Sequence, residues 1–88
     1  MTSSVAFDFY VEPAAGTEQT WHVTADVTFE HNGYRADITG AYPEEAREYP
    51  SLYEVSDLEK ALVADGVRTL DDVKQAAIDA LSREDVSR

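Results

Sequence analysis

From Trp21 to Glu30 the chain alternates without a break: Trp21, Val23, Ala25, Val27 and Phe29 on one parity, His22, Thr24, Asp26, Thr28 and Glu30 on the other. Successive side chains of a strand point to opposite sides, so this period of two predicts a strand with one buried face. An earlier segment repeats it, with Val5, Phe7, Phe9 and Val11 set against Ala6, Asp8, Tyr10 and Glu12. Pro13 is expected to close that first strand, and the small and polar residues from Pro13 to Thr20, around Gly16, read as a connecting loop.

Asn32-Gly33 is a strong hairpin signal, because a type I′ turn needs positive φ at both central residues. A two-residue loop there pairs His31 with Tyr34, Glu30 with Arg35, Phe29 with Ala36, Thr28 with Asp37 and Val27 with Ile38. In that register Tyr34, Ala36, Ile38 and Tyr42 join the inner face, and Glu30 and Arg35 form an opposite-charge pair outside.

Two helix signals follow. Ser56 and Glu59 have capping-box spacing ahead of Leu58, Ala61 and Leu62, with Gly66 as the stop, which predicts a helix over Asp57–Asp65. Thr69 and Asp72 repeat the start signal, and Leu70, Val73, Ala77 and Leu81 recur at helical steps, so a second helix should reach Arg83. The long connection from Pro43 to Val55 is expected to hold a helical turn near Glu44 to Glu48, followed by Tyr49-Pro50. The fold class expected is α+β. A three-stranded antiparallel sheet (strand, loop, β-hairpin) carries two C-terminal helices on one face, as a single acidic domain over residues 1–88.

Charge constrains the partners. The 88 residues hold 18 Asp and Glu against 7 Lys and Arg, a net charge of -11. Spread over a compact body about 30 Å across, the excess amounts to about one charge per 3 Å. Duplex DNA carries about one per 1.7 Å. Such a surface repels nucleic acid and anionic membrane and attracts basic proteins. An apolar content of 43% is too high for an acidic disordered chain. The absence of cysteine removes disulfides and thiolate metal sites and suits a reducing compartment. Met1 to Ser4 lacks a leader pattern and no apolar run approaches membrane-spanning length, so a cytoplasmic protein is expected, in a host cytoplasm if phage-encoded.

Catalytic and metal chemistry find little support. His22 and His31 are separated by an odd number of positions and project from opposite sides of a continuous strand. Asp71 and Asp72 suit the positive end of a helix dipole. No calcium loop or Gly-rich phosphate loop is present, and no serine stands in a nucleophile-elbow context. A non-enzymatic protein with no cofactor and no metal is expected.

The outer sheet face should carry Asp8, Glu12, Asp26, Glu30 and Asp37, with Arg35 as partial compensation. Beyond the third strand, Tyr42, Tyr49 and Tyr53 interleave with Glu44, Glu45, Glu48 and Glu54, a combination that suits arginine through cation–π attraction and ion pairing. Tyr10, on the polar side of strand one, is the preferred exposed anchor. The expected partner is a basic protein that handles nucleic acid, bound by Asp8, Tyr10, Glu12, Asp26, Glu30, Asp37, Glu44, Glu45, Glu48, Tyr49 and Tyr53. Phage-encoded blockers of restriction or CRISPR machinery share this size and acidity. Thr69 to Leu81 is similar to the helix that follows the strands in HicB-type antitoxins; the proline- and cysteine-containing turn of that family is missing, and no residue role carries over. A different expectation is a housekeeping or assembly domain from a high-salt cytoplasm, consistent with only Lys60 and Lys74 as lysines. An exposed strand edge would also permit a weak homodimer beside the monomer.

Overall fold

The computed structural model describes residues 2–86, with side chains described from Thr2 to Arg83. Three antiparallel strands, β1 (Thr2–Ala14), β2 (Thr17–Glu30) and β3 (Gly33–Pro43), lie in the order β1-β2-β3. Two 3₁₀ turns, Glu44–Ala46 and Pro50–Leu52, lead into α1 (Val55–Asp65) and α2 (Leu70–Val86). Both helices pack on one face of the sheet, the α+β arrangement that the alternation implied. α2 continues to Val86, past the expected end at Arg83, and residues 87–88 lie outside the described residues.

The inner face is built from the anticipated parity. Val5 and Val11 of β1 and Trp21, Val23, Ala25 and Val27 of β2 are buried, while Phe7 and Phe9 are half-buried. One cluster joins Val11, Trp21, Val23 and Ala41 to Leu58, Leu62 and Val73 of the helices. A second seats Ala77 of α2 on Val5, Ala25, Val27 and Ala36. Burying a side chain of Val or Leu size contributes about 1.5–3 kcal/mol, so these rows hold the helices in place.

Several boundaries differ from expectation. The segment from Pro13 to Thr20 is not a loop: β1 runs to Ala14, β2 starts at Thr17, and only Ala15-Gly16 turns, with Gly16 at φ 77. Pro13 is tolerated because β1 is an edge strand and its register slips between Val11 and Ala14, where no ladder bond is needed from a proline nitrogen.

The β2–β3 loop is His31-Asn32, with Glu30 opposite Gly33 and Val27 opposite Ala36. No type I′ turn forms. Gly33 takes the positive φ, 137°, and neither His31 nor Asn32 does. The register therefore slides by two residues, which preserves face parity, and Arg35 sits opposite Thr28.

Tyr42 does not join the inner face. An irregularity between Thr24 and Ala25 places Thr24 opposite Gly40 and Ala25 opposite Ile38, leaving Thr39 unmatched. This reverses the parity of the rest of β3, so Ala41 is buried and Tyr42 faces outward beside His22. Phe29 and Tyr34 keep their inner-face parity but are 61% and 51% exposed, and neither belongs to the clusters that pack on the helices. They pack on each other edge to face at 5.3 Å.

The cap of α1 is also displaced. Glu54 is the N-cap residue, and the Asp57 carboxylate accepts its backbone N–H at 2.8 Å. Ser56 therefore lies inside the first turn. Gly66 ends the helix at φ 75, donating its N–H to the Leu62 carbonyl at 3.1 Å. The second capping box forms as read, with Asp72 accepting the Thr69 N–H at 2.9 Å.

Candidate functional site

Strand pairing sorts the outer face into rows that cross the sheet. Asp8, His22 and Tyr42 form one row; Ala6, Thr24 and Gly40 form the next; Ser4, Asp26 and Asp37 form a third. The middle row holds only small side chains and makes a shallow depression. Its volume is about 330 Å³, and Ala6, Asp8, His22, Thr24 and Tyr42 line it. Gly40 in that row leaves no room for a side chain, since a Cβ there would meet Thr24 Oγ1 at 2.9 Å. Anionic groups thus stand on both sides of the trough, about 13 Å apart along the strands.

Asp26 lies directly across from Asp37 on the neighbouring strand. Like charges in that position destabilise a sheet. Asp37 is relieved by Arg35, whose Nε is 3.4 Å from its Oδ2 and whose Nη1 also reaches Glu30 Oε1 at 2.9 Å. The expected Glu30–Arg35 ion pair therefore forms, but diagonally. Asp26 accepts only the Ser4 hydroxyl, at 2.9 Å, among the described residues.

On the other side of the trough, His22 is not the freely exposed residue that alternation suggested. Asp8 Oδ1 approaches its Nδ1 at 2.7 Å, and Glu44 Oε2 closes on its Nε2. The Tyr42 ring stacks obliquely against it, with centroids 5.1 Å apart. The Glu44 hydrogen bond, followed by the Asp8 contact, raises the His22 pKa above the ordinary imidazole value, while partial desolvation opposes the shift. In return, His22 lowers the Glu44 pKa, with Arg47 adding to the effect at 3.2 Å.

The remaining candidates divide. Tyr10 and Tyr49 are 52% and 63% exposed and available to a partner. Tyr53 instead packs edge to face on Trp21 at 6.2 Å and closes the end of the core. Glu12 lies on the outward parity of β1 and accepts the Gly16 N–H at 2.8 Å, so it is engaged in the β1–β2 turn. Glu45 accepts the Gln19 amide at 3.2 Å, whereas Glu48 is exposed.

One acid escaped the sequence reading altogether. Asp65, at the end of α1, has a side chain only 1% exposed. It accepts the backbone N–H groups of Glu12, Val67 and Arg68 and the Arg68 guanidinium. Those donors, the Arg68 backbone N–H first, hold its carboxyl far below the usual carboxylate range. Among the described residues, no group of three potential ligands is placed to hold a metal ion, and no helix is long and apolar enough to cross a membrane. No family model, curated protein or solved structure matches the chain.

Proposed function

We propose that the outer sheet face and the connector after β3 bind the basic surface of a nucleic-acid-handling protein and occupy it in place of the polynucleotide. The reading rests on Asp26 and Asp37, two carboxylates set directly opposite each other on the solvent face with one arginine between the acids of that end. A like-charge pair weakens the free protein, and a partner's cation relieves it, so the arrangement favours association. The trough beside the pair has room for an arginine side chain, and the exposed rings of Tyr10 and Tyr49 offer cation–π contacts nearby on β1 and the connector. Inhibition needs no chemistry. A folded polyanion held in a basic groove excludes the nucleic acid, in the manner of phage anti-restriction or anti-CRISPR proteins, and the chain would act in a cytoplasm where such machinery works.

Charge is distributed in support of this. Residues 1–48 hold nine acids against Arg35 and Arg47, while residues 49–88 hold nine against five bases. The sheet half thus carries most of the uncompensated charge.

The test is competitive release. Immobilised protein should retain a basic nucleic-acid-binding protein from low-salt extract, and a duplex or single-stranded oligonucleotide should displace it. The triple variant Asp26→Asn, Glu30→Gln, Asp37→Asn should fold but lose retention. Retention that ignores both the oligonucleotide and the variant would overturn the reading. A second reading, a salt-adapted domain without a basic partner, draws on the nine acids in the helical half.

A further inference from the structure

We propose that His22 is a proton-dependent latch that fastens the acidic connector, from Glu44 onward, to the outer face of the sheet. Both ring nitrogens face carboxylate oxygens, and these come from two different elements: Asp8 of β1 and Glu44 of the first 3₁₀ turn. A neutral imidazole has one N–H, so it can serve only one of these acceptors and must turn a lone pair toward the other. The imidazolium donates to both. The geometry therefore selects the protonated ring.

The groups around the ring are few. Asp8 faces it from β1, Tyr42 from β3 and Glu44 from the turn, and Arg47 stands behind Glu44. On β2 itself the outward neighbours Thr20 and Thr24 carry no charge. When the proton leaves to solvent, one contact becomes a lone-pair repulsion, and Asp8 and Glu44 face each other's field without the cation that separated them. Arg47 can still hold Glu44, but Arg47 belongs to the connector and does not tie it to the sheet. What then fastens the connector is the Gln19–Glu45 hydrogen bond, the buried Ala46 and, at its far end, Tyr53 against Trp21.

The sign follows from the raised His22 pKa. The latch contributes its full stabilisation below the unfolded imidazole value of about 6.5 and loses it as pH rises through the higher folded value. The connector is thus held below the folded His22 midpoint and loosens as pH rises through it. Proton loss also adds one negative charge to the outer face. This behaviour belongs to the free protein and does not depend on any partner.

The experiment is a pH titration of the free full-length chain by NMR. The ¹⁵N shifts of His22 should show both ring nitrogens protonated below its midpoint. Its midpoint should lie above that in the urea-unfolded chain, and the backbone amides from Glu44 to Leu52 should move with the same midpoint. Glu44→Gln should lower the His22 midpoint and uncouple those amides from it; Asp8→Asn should lower the midpoint by the smaller amount. His22→Gln should hasten hydrogen exchange in the connector below the wild-type His22 midpoint and leave it unchanged above it. If His22→Gln does not fold, the two carboxylate variants decide the matter. A midpoint at or below the unfolded value, or one unmoved by Glu44→Gln, would overturn the latch.

Discussion

Asp65 gathers four donors on two oxygens, and they come from two stretches of chain: the end of β1, and the link between the helices, which supplies two backbone N–H groups and the Arg68 guanidinium. Hydrogen bonds to an ionised acceptor are about twice as strong as neutral ones, so one acid ties the edge strand to the α1–α2 corner. Asp65→Asn should lower the melting temperature more than Asp26→Asn does, because the amide NH₂ must face N–H donors on one side. Thermal melts of both variants decide it. Because the folded pKa is depressed, this stabilisation is present above the unfolded aspartate value of about 3.9 and is lost as pH falls through the folded value. The variant should therefore show its deficit at neutral pH and a smaller one under strongly acidic conditions. Nothing in the sequence marked Asp65, since an acid in the last turn of a helix faces the wrong end of the dipole and one of its donors, Glu12, is remote in the chain. Trp21 was legible from strand alternation alone, and Trp21→Ala should destabilise by about 3–5 kcal/mol in denaturant unfolding.

Elements were legible where one local pattern sufficed, and their frames were not where two candidates had the same spacing. Glu54 and Asp57 stand three apart, as do Ser56 and Glu59, so the capping pattern alone could not choose between them. The structure gives the cap to Glu54, with Asp57 holding its N–H. Asp57→Ala should then cost about 0.5–2 kcal/mol, the usual range for a lost cap. Ser56→Ala should stay within about 0.5 kcal/mol, as surface changes away from special features do. Equal losses, measured by urea titration, would restore the original frame. The β2–β3 hairpin shows the same ambiguity with a different outcome. Sliding the turn from Asn32-Gly33 to His31-Asn32 moves the register by two, so Ala36 and Ile38 keep the face that alternation assigns them. The extra residue at Thr39 is invisible to a period-two reading, and it alone carries Tyr42 across the sheet to His22.

At the scale of the whole molecule, sheet and helices set different charge densities against each other. Acids on the helical half are interleaved with Lys60, Arg68, Lys74 and Arg83, whereas the sheet half relies on Arg35 and Arg47. The overall excess was readable from composition. Its concentration on one face depended on strand register, and the pairing of Asp26 with Asp37 depended on the turn. A net charge of -11 on a body with a radius of gyration of 13.3 Å repels itself, and salt screens that repulsion. The Debye length falls from about 30 Å at 0.01 M to about 10 Å at 0.1 M and about 3 Å at 1 M, so most of the gain should come at low concentrations. A polyanion that works in an ordinary cytoplasm must already be folded in dilute buffer, because its carboxylates present a fixed pattern only on a rigid sheet. Calorimetric melts in rising NaCl should show one cooperative transition at about 0.01 M, with a melting temperature that climbs steeply to about 0.1 M and then flattens. A domain adapted to high salt would behave otherwise, lacking a transition in dilute buffer and gaining one only toward about 1 M. That second pattern would replace the proposed nucleic-acid mimic with a protein whose acidity serves its solvent.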